Sequence, residues 1–464
     1  MNRIPVIAIF DVGKTNKKLL LFNEQYKLVF EESKQFAEIK DEDDFPCEDV
    51  IVLTDWIKES FEKVVHDERF EVKGVNFSGY GASFVYVDKG GKVISPLYNY
   101  LKSYPPELQK KFYDDYGGES AVAKQTASPV LGNLNSGMQL YLIKYKKPEL
   151  YKNIAFAFHL PQYLSYILTD YPATDITSVG CHTNLWNFNE QKYHHWVLEE
   201  GIINCFAPVL PCSTYVPFIF KNKNYIAGIG LHDSSAALIP YLISFSEPFI
   251  LLSTGTWCIT LNPFNHTQLT DYELHQDCLC FLSYKGKPVK ASRLFAGYEH
   301  EQQTKRLATY FNKPGDYYKS VLYNASLVDN YRTKTKISPG DEQSAMVGQS
   351  AFSKRELSSF KTYEDAYHQL IADIIEQQIH SSNIVLKGTN VKRIFVDGGF
   401  SKNQIYMQLL ADAFPGIEVY AATIPQASAL GAALCIHDHW NSKDLPGSII
   451  ELKYYTPEQK LIQH

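Results

Sequence analysis

Two stretches of this chain share one plan. "VIAIFDVGKTNKKLLLF" (6–22) and "PFILLSTGTWCITLN" (248–262) each run apolar, turn on a glycine, and run apolar again. Apolar runs around a glycine turn predict paired strands. The chain has 464 residues, more than one ordinary core organises, and the plan recurs in its two halves. Two large α/β domains built alike are therefore expected. The expected boundaries are 1–246, 247–440 and a tail over 441–464.

The remaining segments fill out each half. "KLVFEE" (27–32) reads as a third strand. "DVIVLTDWIKESFEKVVHD" (49–67) has helical periodicity, with Val52, Trp56, Phe61 and Val64–Val65 near one face. "GVNFSGYG" and "SFVYVDKGGKVIS" return to strand, with "DKGG" as a hairpin turn. The stretch 105–220, rich in Tyr, Pro and short helical pieces, reads as lids and substrate walls. In the second half "CLCFLSYKGKPV" is a further hairpin. "TYEDAYHQLIADIIEQQIHSSN" (362–383) is a helix with Thr362 as N-cap and Asp365 behind it. "VKRIFVDGGFSKN" (391–403) is strand, glycine turn and helix start, and "IEVYAA" is a strand. "QASALGAALCIHDHW" (426–440) is a helix of small residues that suits close packing.

Composition excludes several classes. With 45 basic and 51 acidic residues the net charge is -6, against a general nucleic-acid binder. No window approaches the run of roughly 20 apolar residues that crosses a bilayer. The N-terminal apolar run leads straight into the "DVG" turn, so it reads as fold rather than signal peptide. The eight cysteines match no zinc-ribbon spacing and suit a cytoplasmic protein with reduced, buried thiols. Two glycosylation sequons, at 265–267 and 324–326, read as chance. No G-x-G-x-x-G follows a strand, and no Walker A motif is present.

The chemistry lies in three glycine turns: "DVGKT" (11–15), "STGTW" (253–257) and "DGGFSKN" (397–403). A glycine turn lets backbone N–H groups approach a polyanion, and a neighbouring hydroxyl can donate to phosphate oxygen. Asp11 would repel phosphate itself, so its natural use is to hold magnesium, directly or through water. Thr15 and the Lys17–Lys18 pair would face a transferring phosphoryl group, with Lys18 the better fit; Lys14 and Lys17 read equally as solvated charges. In "GIGLHDSSAALIP" (228–240), Asp233 precedes small residues that begin a helix. A carboxylate there suits a general base taking a proton from a substrate hydroxyl.

The ordered set DVGKTNKK, GLHDSSAA, STGTW and DGGFSKN…QASALGAAL resembles the FGGY carbohydrate kinases, of the actin/hexokinase/heat-shock ATPase superfamily. The resemblance covers about 5–440. It implies two ribonuclease-H-like (actin-like ATPase) domains around a central cleft, with ATP mainly on the second and sugar mainly on the first. It implies ATP and Mg2+, a magnesium-associated Asp11, and Asp233 as base. It implies Thr15 and Lys18 in a first phosphate motif and Gly255 and Thr256 in a second. Gly399, Phe400 and Asn403 would form the adenosine motif, with Asn403 bonding the adenine edge, and Gly297 would line the nucleotide site. Partners are then a small sugar and ATP, with a homodimer left open.

"FSGYGASFVYVD" and "LSTGTW" look most like rhamnulokinase-like and, less closely, L-fuculokinase-like members. That implies a deoxy-ketohexose substrate such as L-rhamnulose or L-fuculose. Gly79, Tyr80, Ser83 and His232 are the candidate sugar-pocket residues. This chain departs from the pattern: Ser83 stands where rhamnulokinase-like sequences tend to have aspartate, and Asn99 and Lys102 replace a Trp-Asp/Asn-x-Arg segment. A pentulose kinase acting on xylulose or ribulose stays open, as does a non-catalytic, actin-like sugar sensor.

Overall fold

The computed structural model describes residues 3–327, 351–424 and 426–457. The chain divides into two compact units, Met1–Ser244 with Cys280–Pro288 and Pro425–Ile449, and Phe245–Leu279 with Val289–Ile424 and Ile450–His464. By contacts the first unit thus includes two late pieces, which differs from the contiguous boundaries expected from sequence.

The first unit is built on strands β1 (Ile4–Val12), β2 (Lys17–Asn23) and β3 (Leu28–Lys34), helix α1 (Val50–His66) and strand β4 (Phe70–Gly79). Strands β5 (Tyr215–Phe220) and β6 (Lys223–Gly228) and helix α2 (Asp233–Ser244) follow. The sheet runs β5-β6-β4-β1-β2-β3, with Leu231–His232 also pairing β4. β1 is antiparallel to β2 and parallel to β4, so the "DVGKT" turn and the end of β4 lie at the same end of the sheet.

Asp49 caps α1 by accepting from the N–H groups of Ile51 and Val52. The buried stripe is Val50, Leu53, Trp56, Ile57, Phe61, Val64 and Val65. Val52, expected inside, is 42% exposed. It lies one residue, about 100°, off the Leu53–Trp56–Ile57 stripe. The "DKGG" turn forms, but Val87–Val93 is only an isolated bridge, and Phe84–Val87 pairs instead with Phe156–His159. The stretch 105–220 is mostly short helices, as its composition suggests.

The second unit repeats the plan. Its sheet takes in β7 (Phe249–Thr254), β8 (Cys258–Asn262), β9 (Cys278–Leu282) and β10 (Pro288–Leu294), of which Cys280–Leu282 and Pro288 group with the first unit. Helix α3 (Ala296–Tyr310), helix α4 (Tyr363–Leu386), strand β11 (Arg393–Gly398), helix α5 (Gln404–Ala413) and strand β12 (Glu418–Thr423) follow. Helix α6 (Ala427–Cys435) belongs with the first unit, and strand β13 (Glu451–Tyr455) closes the second sheet. That sheet runs β9-β10-β8-β7-β11-β12-β13. β7 is antiparallel to β8 and parallel to β11, as β1 is to β2 and β4. Thr362 caps α4 through the Asp365 N–H, and α4 buries Tyr367, Leu370, Ile371 and Ile374 against β7 and β11.

In the first unit α6 lies close against α2. A Cβ at Gly431 would stand 1.8 Å from the Ala236 carbonyl oxygen, so only glycine permits this approach. All eight cysteines are buried and none forms a disulfide. Asn265, in the first sequon, is 2% exposed and donates to the Val385 carbonyl. Among the described residues no helix is long and apolar enough to cross a membrane.

Candidate active site

In the first unit Asp11 sits near the end of β1, opposite Lys18 on β2 and Ser78 on β4. Ser78 Oγ donates to its Oδ1 at 2.7 Å, and Ser428 Oγ, from the first turn of α6, donates to Oδ2 at 2.9 Å. Burial pushes the Asp11 carboxyl up to about 6, and the nearby Asp233 adds to the rise; the two serines and Lys18 oppose it.

Asp233 opens α2. Its carboxyl is sunk among protein atoms, while 35% of the side-chain surface stays open. Burial pushes it up to about 6 against the hydrogen bond from its neighbour, the Ser234 N–H, at 2.6 Å. Next to it His232 is 5% exposed, and burial holds its ring down to about 3, hence neutral. His232 Nε2 lies 3.3 Å from Asp233 Oδ1 and 3.1 Å from Cys181 Sγ. A carboxylate only accepts, so the ring nitrogen facing it carries the proton. Nδ1 is then a buried acceptor without a partner among the described residues. Phe281 stacks on the ring at 5.7 Å.

Two neighbouring carboxylates, both raised by loss of water and with the Asp233 charge adding to the rise of Asp11, form an electronegative site that a hard cation relieves. Among the described residues no group of three or more His, Cys, Asp or Glu is placed to hold a metal ion. Asp11 fits a magnesium ion that takes its other ligands from water and phosphate.

The neighbouring lysines part company. Adjacent residues on a strand face opposite sides. Lys18 Nζ donates to Gln426 Oε1 at 2.9 Å and pairs with Glu31 at 3.3 Å, beside Asp11. Lys17, expected either with Lys18 at the phosphate or in solvent, is 3% exposed and pairs with the buried Glu48 at 2.8 Å. Thr15 is exposed at the tip of a turn closed by Gly13 N–H to the Asn16 carbonyl.

Several sugar-pocket candidates spend their side chains on the protein. Ser83 is 1% exposed and its Oγ donates to the Tyr98 carbonyl. Tyr80 donates to Glu48 Oε1 at 2.8 Å. Gly79 ends β4 against Pro161. Lys102 pairs with Asp41 and Asp43, and Asn99 donates to the Pro46 carbonyl. His232 alone of the set presents an unsatisfied polar atom. Tyr100, which packs edge-on against Tyr80 and feels the Asp233 charge, was not legible from the sequence. Neither was Phe281, which arrives from β9.

In the second unit the glycine turns are stitched by backbone. Gly399 N–H donates to the Thr254 carbonyl at 2.8 Å, and Phe400 N–H to Thr254 Oγ1 at 2.9 Å. Gly398 has φ +89°, and a Cβ there would stand 1.9 Å from the Thr254 carbonyl oxygen. Gly399 has an ordinary φ of -63°. The glycine whose backbone conformation and close packing this turn requires is therefore Gly398. Gly297 is equally constrained, since a Cβ would stand 1.8 Å from the Gly255 carbonyl oxygen.

These contacts open a cavity of about 460 Å³, walled by Gly255, Thr256, Gly297, His300, Lys305 and Tyr318 among others. That volume suits a small organic ligand. Phe400 lies in the core, stacked on Tyr406 at 4.5 Å. Asn403 caps α5 with its amide oxygen and donates to the Tyr367 hydroxyl at 2.8 Å. Its cap oxygen accepts from the Ile405 and Tyr406 N–H groups.

Two sheets of this matched topology define a ribonuclease-H-like, actin-like ATPase fold. Residues 6–217 match the FGGY family of carbohydrate kinases, N-terminal domain, and 246–444 match carbohydrate kinase FGGY, C-terminal domain. The chain belongs to the FGGY family of carbohydrate kinases. It is 22% identical over 258 residues to a rhamnulokinase of Mannheimia succiniciproducens, covering 54% of this chain and 52% of the relative. The chain spans about half the length of the curated relatives it matches, 52% in that case. The fold resembles a carbohydrate kinase from Novosphingobium aromaticivorans, with TM-score 0.79, 20% identity, and coverage of 98% of this chain and 95% of the other. It also resembles a ligand-bound xylulose kinase from Lactobacillus acidophilus, with TM-score 0.76, 16% identity, and coverage of 98% and 94%.

Proposed function

We propose that the chain is an ATP-dependent sugar kinase that phosphorylates a hydroxyl of a small ketose, a deoxy-ketohexose such as L-rhamnulose or L-fuculose. The observation that carries this reading is Asp233, a partly open carboxylate poised near 6 beside the unsatisfied His232 Nδ1. A base with that pKa is mostly ionised at neutral pH yet still basic enough to take a proton. The name of the rhamnulokinase relative supports the choice of sugar.

In this reading Asp233 takes the proton of the attacking hydroxyl, and His232 Nδ1 accepts from a second sugar hydroxyl. The sugar oxygen forms a bond to the γ-phosphorus as the bond from phosphorus to the β,γ-bridging oxygen breaks, releasing ADP. Gly255 and Thr256 hold the nucleotide phosphates, and Gly297, His300 and Tyr318 wall the nucleoside. Lys18 offsets charge on the transferring group. Magnesium at Asp11, when bound, neutralises phosphate charge. Gly79 and Tyr80 shape the sugar side, with Ser83 acting from behind the wall.

The test is ADP release with magnesium-ATP over L-rhamnulose, L-fuculose, L- and D-xylulose, L- and D-ribulose, and glycerol. Turnover strongest on a 6-deoxy-ketohexose is the expected result. Turnover strongest on a pentulose replaces the sugar assignment and keeps the kinase. Silence across the panel and a wider sugar library, with ATP still bound, favours the non-catalytic sensor.

A further inference from the structure

Glu48 precedes α1 and is 7% exposed, which is rare for a carboxylate. Its backbone bridges Leu97, fixing where the side chain starts. Three polar groups converge on it. Lys17 Nζ lies 2.8 Å from Oε2, Lys14 Nζ 3.3 Å from Oε1, and the Tyr80 hydroxyl donates to Oε1 at 2.8 Å. Lys14 also pairs with Glu38 at 3.1 Å, and Lys17 Nζ donates to the Lys14 carbonyl at 2.9 Å. Tyr100 meets Tyr80 edge-on, ring centres 6.0 Å apart.

The lysines belong to the 11–18 turn, and Tyr80 to the 79–83 turn. A buried ion pair contributes little net stability compared with apolar replacements of like shape, because both charges lose their water. Its use is to fix geometry. We propose that Glu48 is a positioning residue that locks the 11–18 turn to the 79–83 turn, so that the phosphate side and the sugar side of the first unit move together. This rests on the functional reading above for the words phosphate and sugar; the mechanical lock does not.

The experiment uses the full chain with three changes: Tyr80→Phe, Glu48→Gln and the paired apolar replacement Lys17→Met/Glu48→Leu. Hydrogen–deuterium exchange is followed on peptides covering 12–18 and 79–83, without any ligand. Tyr80→Phe removes one hydroxyl from the 79–83 turn. The lock predicts faster exchange over 12–18, with the rest of the first unit unchanged. With the sugar found in the panel, KM for that sugar and for magnesium-ATP both rise, by about tenfold for loss of one hydrogen bond to a carboxylate. Loss of folded protein would instead lower kcat at constant KM. If Glu48→Gln fails to fold, the paired apolar variant carries the same measurement. Unchanged exchange over 12–18 in Tyr80→Phe and in whichever Glu48 variant folds overturns the proposal. Exchange that responds as expected in a protein that phosphorylates no sugar overturns the functional reading and keeps the lock.

Discussion

The first glycine turn and the second solve one problem with different means. Between β1 and β2 the turn carries Lys14, Lys17 and Lys18, each held by a carboxylate or an amide: Glu38 and Glu48, Glu48, and Glu31 with Gln426. Between β7 and β8 the turn is neutral. It is held by main-chain contacts at which Gly297 and Gly398 admit no Cβ. The first turn is set by charge, the second by missing atoms. Charge changes should therefore damage the one, and added methyl groups the other.

The largest effect expected is on chemistry. Asp233→Asn should lower kcat by about 10²–10⁴-fold, the range of general-base catalysis, while ADP binding by calorimetry stays intact. Equal turnover would remove Asp233 from its assigned role. Lys17→Met removes the nearest cation from the buried Glu48, which keeps Lys14 and Tyr80, and should cost about 1–3 kcal/mol in urea unfolding. Lys18→Met, at a site 24% exposed, should leave the urea midpoint nearly unchanged and raise KM for magnesium-ATP. Equal stability losses would erase the distinction between the two lysines.

In the second turn Gly398→Ala forces a positive φ and a clash, for about 1–3 kcal/mol. Gly255→Ala, with only the Trp257 carbonyl oxygen within 3.9 Å, should unfold like the parent. A reversed order would show that the second turn is not set by its close contacts.

The smallest effect is a pH shift. Asp11 and Asp233 are both raised to about 6, and in the proposed mechanism both act ionised. Thus kcat/KM should fall below pH 6 with a slope approaching two, the titrations belonging to the pair. Ser428→Ala removes a donor that favours ionised Asp11, so the limb should move to higher pH. An unmoved limb would mean that Asp11 does not contribute to it.

The sequence made the strand–turn–strand units legible because alternation and glycine are local signals. It also singled out Asp11 and Asp233, whose neighbours in sequence already suggest their chemistry. It failed where side chains are spent over long distances. Lys17 and Lys18 look alike in a string, and only β2's pleat sends one to Glu48 and the other toward Asp11. Ser428 lies in a stretch read for packing alone, and nothing local announces that its hydroxyl meets Asp11.

That last contact has a consequence for how the protein is made. Ser428, Gln426 and Gly431 cover the first unit but are translated after nearly all of the second. At 5–20 residues per second the ribosome needs roughly 10–40 s to travel from the end of α2 to α6. Through that interval β1 and β4 expose Asp11 and Asn76 without their final partners, Ser428 and the Ala432 carbonyl. The earliest half of this polypeptide is therefore among the last to be finished, and a nascent chain stalled before α6 is a natural client for chaperones.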